Sequence, residues 1–481
     1  LSFSSLTKFD EECIPFISQN ADMVGYSFVK NNEDIKELRK RFEGKKIFKS
    51  EVINDALNEP VEMKRQAAPA LITQLAYRLR EQHPSTENIH STLRAPLQHK
   101  VQSLVYNYSK RKSLQSIYNA SAIVIDNKSH KVVAYIGSAD FKDQLHHGQV
   151  DGVNAVRSPG SSLKPLIYAM AFDKGLATPL TVINDVPVNF MGYNPENYNS
   201  KFNGRVTLDF ALSHSLNIPA VKILNQLGVP TVTQALIKSG FNSIEESKSK
   251  LGLSLALGGC GVRLCELSNL YATFANNGVY QKLKYVEDDT LNTDTLRLMS
   301  SGAAYMTTEI LSKITRPDLP DNYANILRIP HIAWKTGTSY GRRDAWSIGY
   351  NKRFTVGVWL GNYNGNGVAE LSGASVATPL LFDIFNAIDY DNDSTWFSPP
   401  ADVNFRLVCS ETGLLPGVNC SNQIMDEFLP GITSNAVCTH LKEYIISPDE
   451  KICYCTSCMP AAGYKKKLFF SQDAEYLSFL K

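Results

Sequence analysis

Ser161-Ser162-Leu163-Lys164 sets a hydroxyl and an amine three residues apart. On a helix, residues three apart share one face, and a serine at the helix start meets the positive end of the dipole. A serine hydroxyl is a weak nucleophile until a base takes its proton. A lysine can be that base once burial or a neighbouring cation holds it neutral. Ser215-Leu216-Asn217 supplies a second hydroxyl and an amide, between two helical patterns. Lys335-Thr336-Gly337-Thr338-Ser339 follows the apolar run 329–334 and supplies an ammonium, hydroxyls and an unencumbered backbone at the glycine. These are the groups that binding a carboxylate and an acyl carbonyl requires. Taken singly, each segment also fits a bland role: a solvated helix start, a helix cap or a strand end.

A competing motif overlaps the third segment. Gly337-Thr338-Ser339-Tyr340-Gly341 fits GxSxG, the nucleophile elbow of α/β-hydrolases. That elbow opens a helix and needs an acid and then a histidine downstream. Only His440 follows, and no helical pattern starts after Gly341. His214 adjoins Ser215, but neighbours on a helix do not face each other. His146-His147 reads as polar loop.

The elements that must position these groups are legible from periodicity. Residues 122–126 form a β-branched run, 127–130 a turn and 131–136 a returning strand. The pattern over 162–174 is helical, with Gly175 where a C-terminal cap belongs. Helices are expected at 207–215, 218–226, 231–239, 264–276 and 301–313. Strands are expected at 331–336, 344–350 and 354–360, and 379–388 reads as a closing helix with its proline in the first turn. Strands at both ends with helices between imply an α+β sheet assembled from distant parts of the chain.

The order SxxK, SxN, KTG is the signature of penicillin-binding proteins and serine β-lactamases. The resemblance extends beyond the motifs. Arg157-Ser-Pro-Gly-Ser-Ser-Leu-Lys-Pro165, Ala211-Leu-Ser-His-Ser-Leu-Asn-Ile-Pro-Ala-Val221, Leu255-Ala-Leu-Gly-Gly259, Tyr271-Ala-Thr-Phe-Ala-Asn-Asn-Gly278 and Val356-Gly-Val-Trp-Leu-Gly-Asn362 look like bifunctional, class A penicillin-binding proteins. The run from Lys335 to Trp346 and the tail with Phe428-Leu-Pro-Gly431 are similar to the 1C subgroup. The resemblance covers roughly 86–440. It implies a transpeptidase fold, an antiparallel sheet flanked by helices with a helical sub-domain.

It also implies the chemistry. Ser161 would attack the carbonyl between the terminal D-alanines of a peptidoglycan stem peptide, with Lys164 as proton acceptor. Ser215 would relay the proton, Lys335 would hold the local field positive, and Asn217 would bind the substrate amide and position Lys164. Backbone N–H groups of Ser161 and Thr338 would form the oxyanion hole, with Thr336, Gly337 and Thr338 lining the substrate strand. An amine from a second stem peptide would take the acyl group, giving a D,D-transpeptidase inhibited by β-lactams. If water takes it, the enzyme is a D,D-carboxypeptidase. A β-lactamase would need a deacylating glutamate, which no motif supplies, and a non-catalytic sensor or scaffold would not need all three motifs.

By this resemblance, 1–85 is the remnant of a glycosyltransferase domain and linker, 86–395 the transpeptidase domain, and 396–481 a cysteine-rich segment leading to a missing C-terminal domain. Glu33-Asp34 lacks the phenylalanine of the glycosyltransferase motif, so polymerising activity is not expected from this chain. Asn58-Glu59-Pro60 resembles the joining segment.

Composition agrees with a folded domain. The 481 residues are 43% apolar and 20% charged, enough for a sizeable core. A net charge of +2 gives no reason to expect a nucleic-acid partner. The basic stretch 36–49 reads as the solvated face of an amphipathic helix, with Ile35, Leu38 and Phe42 on the other side. A nucleic-acid or anionic-lipid patch is the sharper alternative. No apolar run of spanning length occurs; the substrate that the resemblance implies lies outside the cytoplasmic membrane, so the resemblance implies a periplasmic or extracytoplasmic domain whose membrane anchor belongs to the full-length parent. Other cell-wall synthesis proteins are expected partners. No cofactor and no metal is expected. Six of nine cysteines fall between 409 and 458, and disulfides are favoured over zinc, because only Cys455-x-x-Cys458 has paired ligand spacing.

Overall fold

The computed structural model describes residues 70–287, 295–314, 330–390, 396–471 and 474–480, together with 12, 36 and 40. Two compact units divide at Ala68/Pro69. The expectations for 36–49, Glu33-Asp34 and Asn58-Glu59-Pro60 therefore lie, but for residues 36 and 40, outside the described residues.

The second unit is built on a five-stranded antiparallel sheet in the order β2-β1-β9-β8-β7. The strands are β1 (Asn119–Asp126), β2 (Lys131–Ile136), β7 (Ala333–Thr338), β8 (Asp344–Tyr350) and β9 (Phe354–Gly361). Two short ladders lie between them in sequence: β3 (Val182–Asp185) with β4 (Gly204–Thr207), and β5 (Val279–Gln281) with β6 (Thr295–Arg297). β1 pairs with β9 from Asn119↔Gly361 to Asp126↔Phe354, so the first and last strands of the sheet's sequence lie side by side.

Both faces of the sheet are buried, and the period of two sorts its side chains between two cores. Ile123, Ile125, Ile348 and Trp359 face one core, packed with the helices Lys164–Asp173, Asn217–Leu227, Leu264–Ala275 and Ser301–Ser312. Ala122, Val124, Val356 and Val358 face the other, covered by the helices Ala95–Ser113 and Thr378–Asp389. Pro96 and Pro379 occupy the first turns of these two covering helices, where a missing N–H costs nothing. Glu266 closes a capping box by accepting from the Arg263 N–H at 2.9 Å. This is the α+β arrangement expected.

The helix expected over 162–174 starts later than periodicity suggests. Gly160–Leu163 is a 3-10 turn, and the α-helix proper runs Lys164–Asp173. It ends at Gly175, whose φ of +67° is open to glycine at no steric cost.

The tail carries strands that periodicity did not reveal. β10 (Asn404–Cys409) and β11 (Gln423–Phe428) form a hairpin, and β13 (Cys453–Tyr454), β12 (Leu441–Ile446) and β14 (Lys465–Phe470) form a small sheet. The described cysteines are all free thiols, which corrects the expectation of disulfides. Among the described residues, no helix is long and apolar enough to cross a membrane.

Candidate active site

The 3-10 turn does locally what a helical register was expected to do. With three residues per turn, Ser161 and Lys164 lie one turn apart, and the Lys164 backbone N–H donates to the Ser161 carbonyl. Ser161 is half-buried, whereas Ser162 is fully buried with an unpartnered hydroxyl, and its carbonyl accepts from the Tyr271 hydroxyl at 2.8 Å. The turn lies against β7. A Cβ on Gly337 would meet the Pro159 carbonyl oxygen at 2.1 Å and the Ser162 hydroxyl at 2.2 Å, so only glycine lets the strand come this close. Trp346 donates its indole N–H to the Ser158 carbonyl at 2.7 Å, tying the turn to β8 as well.

Lys164 has no solvent exposure. Its ammonium position is defined by the Ser215 carbonyl at 2.7 Å, the Leu216 carbonyl at 3.0 Å and the Asn217 amide oxygen at 2.6 Å. The Ser215 hydroxyl lies 3.5 Å from the same nitrogen and accepts from Lys335 Nζ at 2.8 Å. Ser215 therefore bridges two buried lysines. Its φ of 58° is sparsely populated for a non-glycine residue, a strain found most often at functional sites.

Burial pulls the Lys164 amine well below the usual lysine range, and the neighbouring Lys335 lowers it further; Asp185 opposes both. Burial also brings Lys335 down to about 7. Both shifts favour the neutral amine, the form in which a lysine can accept a proton.

Thr336 and Thr338 are half-buried on β7, and the Thr338 hydroxyl accepts from the Gly373 N–H at 2.9 Å. The structure thus brings Ser161, Lys164, Ser215, Asn217 and Lys335 to one place, with Thr336, Gly337 and Thr338 on the adjoining strand. Ser339 does not belong with them as an elbow nucleophile. It is buried in the β7–β8 turn, where its hydroxyl accepts from the Asp344 N–H at 2.9 Å, and strand rather than helix follows. His214 stacks on Phe210 and sits within hydrogen-bonding distance (3.0 Å) of the Phe210 carbonyl, away from Ser215.

Two residues that sequence reasoning missed support the array. Asp185, fully buried at the end of β3, accepts from the Asn197 amide at 2.9 Å on both oxygens and from the Asn203 amide at 2.7 Å. Asn197 in turn accepts the Asn217 backbone N–H at 2.7 Å. This chain of contacts fixes the start of the helix Asn217–Leu227 and hence the amide oxygen that holds Lys164. No local spacing marks either residue, because their partners are tertiary.

Comparison with known proteins agrees with this geometry. Residues 120–386 match the penicillin binding protein transpeptidase domain. The chain is 36% identical over 342 residues to penicillin-binding protein 1C of Escherichia coli, covering 71% of this chain and 43% of that protein. It is 31% identical over 313 residues to penicillin-binding protein 1F of Bacillus subtilis, 61% of this chain and again 43% of the relative. The chain thus spans less than half the length of these relatives. Penicillin-binding protein 1A from Haemophilus influenzae shares the fold at a TM-score of 0.65 and 17% identity, over 84% of this chain and 82% of that one. So does the PonA1 protein of Mycobacterium tuberculosis, solved in complex with penicillin V, at a TM-score of 0.57 and 20% identity over 69% and 94%. Because the matched span holds all three motifs and the whole five-stranded sheet, the chain belongs to the penicillin-binding protein transpeptidase family.

Proposed function

We propose that this chain is a serine D,D-transpeptidase acting on peptidoglycan stem peptides in cell-wall synthesis. The observation that carries the reading is the buried Lys164–Ser215–Lys335 array with Ser161 one 3-10 turn away. Neutral Lys164 takes the proton of the Ser161 hydroxyl as its oxygen bonds to the penultimate D-alanine carbonyl carbon. The Ser161 and Thr338 N–H groups stabilise the oxyanion, each such donor contributing about 2.7–4 kcal/mol. The C–N bond then breaks, and the proton passes from Lys164 through the Ser215 hydroxyl to the departing D-alanine amine. Lys335 and the hydroxyls of Thr336 and Thr338 bind the terminal carboxylate, and Asn217 holds the substrate amide. A stem-peptide amine attacks the acyl-serine and regenerates the hydroxyl. β-Lactams enter as acyl donors whose leaving group stays attached. The substrate places the domain outside the cytoplasmic membrane.

The test is turnover of a D-alanyl-D-alanine donor peptide in the presence of an acceptor amine, followed by mass spectrometry. Cross-linked product with one D-alanine released per bond is expected. Release of free acid alone would make the protein a carboxypeptidase. No release at all, with no acylation by penicillin, would leave only a binding role.

Asp185 supplies a test of the proton assignment. Its charge holds the Lys164 amine up against burial, so Asp185→Asn lowers that amine further. The acid limb of the acylation profile should therefore move to lower pH. The maximal rate should also fall, because an amide offers one acceptor oxygen where Asn197 and Asn203 donate to the carboxylate's two. A purely structural Asp185 would lower the rate and leave the limb in place.

A further inference from the structure

We propose that Cys409, Cys420, Cys438 and His440 bind one zinc ion as a closed structural site, which fastens the tail to the transpeptidase domain. This stands apart from the acyl-transfer reading and does not depend on it. The four residues come from three separated segments: the last residue of β10, the turn ending at Cys420, and the stretch leading into β12. Their ligating atoms nonetheless all lie within 4.8 Å of one another.

The spacing fits a metal. A tetrahedron with Zn–S bonds of about 2.3 Å and Zn–N bonds of about 2.0–2.1 Å has edges of roughly 3.5–3.8 Å. The Cys409 and Cys420 sulfurs lie 3.6 and 3.8 Å from His440 Nδ1. The Cys438–His440 edge, at 2.7 Å, is shorter, and widening it by roughly 1 Å brings all three sulfur–nitrogen edges into that range. The number of groups also favours an ion over a disulfide. Three sulfurs cannot pair evenly, so one bridge would leave the third thiol beside the imidazole, whereas a four-coordinate ion uses every group. Three thiolates and an imidazole form a soft donor set that selects zinc over calcium or magnesium. With four protein ligands no position is left open, which marks a structural rather than a catalytic site.

The surroundings hold these ligands in place. The Gly417 N–H donates to the Cys420 sulfur at 3.2 Å, the kind of outer contact that orients a ligand. The Cys438 N–H donates to the Leu415 carbonyl at 2.8 Å, and the Ser471 N–H to the His440 carbonyl at 2.6 Å. The loop between Cys409 and Cys420 then reaches the catalytic domain. The Val182 N–H donates to the Thr412 carbonyl at 3.1 Å, and the Leu180 N–H to the Asp426 carboxylate at 3.3 Å. Val182 opens β3, the strand that ends at Asp185, so the ion would brace the hairpin from which the Asp185–Asn197–Asn217 contacts depart. Cys453, Cys455 and Cys458 are exposed and lie outside the cluster.

The test is elemental analysis of the full chain purified in reducing, zinc-containing, chelator-free buffer. Wild type and Cys455→Ser should each carry one zinc per chain, while Cys438→Ser and His440→Ala should lose most of it, with a lowered melting temperature. Should those variants aggregate, cobalt loading of the wild type decides the matter. The intense visible bands of a tetrahedral thiolate complex are expected, and a pale octahedral spectrum would overturn the site. A zinc-free wild type in which mapped peptides join two of Cys409, Cys420 and Cys438 by a disulfide would overturn it too, as would zinc lost in Cys455→Ser but kept in Cys438→Ser.

Discussion

Ser161→Ala should abolish covalent labelling by penicillin, and Ser162→Ala should leave it nearly intact. The two hydroxyls are adjacent in sequence but occupy opposite environments. Ser161 is half-exposed and lies one 3-10 turn before Lys164. Ser162 points into the packing between the turn and β7, where no donor or acceptor reaches it. Removing the attacking oxygen leaves nothing to form the acyl bond, and loss of a serine nucleophile costs on the order of 10⁶ in rate in serine hydrolases. Removing the Ser162 hydroxyl deletes a buried, unsatisfied group, which is neutral or stabilising once its desolvation cost disappears. Intact mass spectrometry after incubation with a fluorescent penicillin, with peptide mapping of the adduct, measures both. An adduct on Ser162 or Ser339, or full labelling of Ser161→Ala, would be incompatible with the proposed nucleophile.

What could be read from the chain followed its local physics. Ser161 and Lys164 lie one turn apart and Lys335 sits two residues before Gly337 on one strand, so their spacing is preserved in any fold that keeps the turn and the strand. The strands of the main sheet were legible because their apolar runs are long and bounded by turn residues. Three features were not. The 3-10 turn at Gly160–Leu163 is too short to carry a period of its own. β3 and β4 have four residues each, below the length at which alternation is informative, so Asp185 had no element to be assigned to. The Cys409, Cys420, Cys438 and His440 group has intervals of ten, seventeen and one residue, and the one paired interval, Cys455-x-x-Cys458, pointed elsewhere. It is brought together by the β10–β11 hairpin and the bridge between Leu415 and Val437, which are tertiary facts.

Lys164→Arg should lower the acylation rate by about 10²–10⁴, the range a positioned general base contributes, and should remove the acid limb of its pH profile. In the native chain that limb reports the proton on Lys164. Burial is the larger cause of its lowered affinity and the Lys335 charge the second. The rate therefore rises as pH rises through the Lys164 value, because only the neutral amine can accept the Ser161 proton. It falls again as Lys335, brought by burial to about 7, gives up the charge that the substrate carboxylate needs. The second-order constant for acylation reports these groups in the free protein, so the profile should be a bell with its alkaline midpoint about 7. A guanidinium cannot be deprotonated in a protein. With arginine at 164 no pH in the accessible range generates a base, and the residual rate should be flat on the acid side while the Lys335 limb remains. Lys164→Met, which carries neither charge nor proton, should show the same loss and so separates the missing base from any damage done by a buried guanidinium. Penicillin acylation of both variants, followed by stopped-flow from pH 5 to 9 beside their thermal melts, makes the comparison. If either folded variant acylated within about tenfold of wild type, below the range expected for loss of a general base, the proton would have to leave Ser161 by another route, with Ser215 the nearest remaining acceptor.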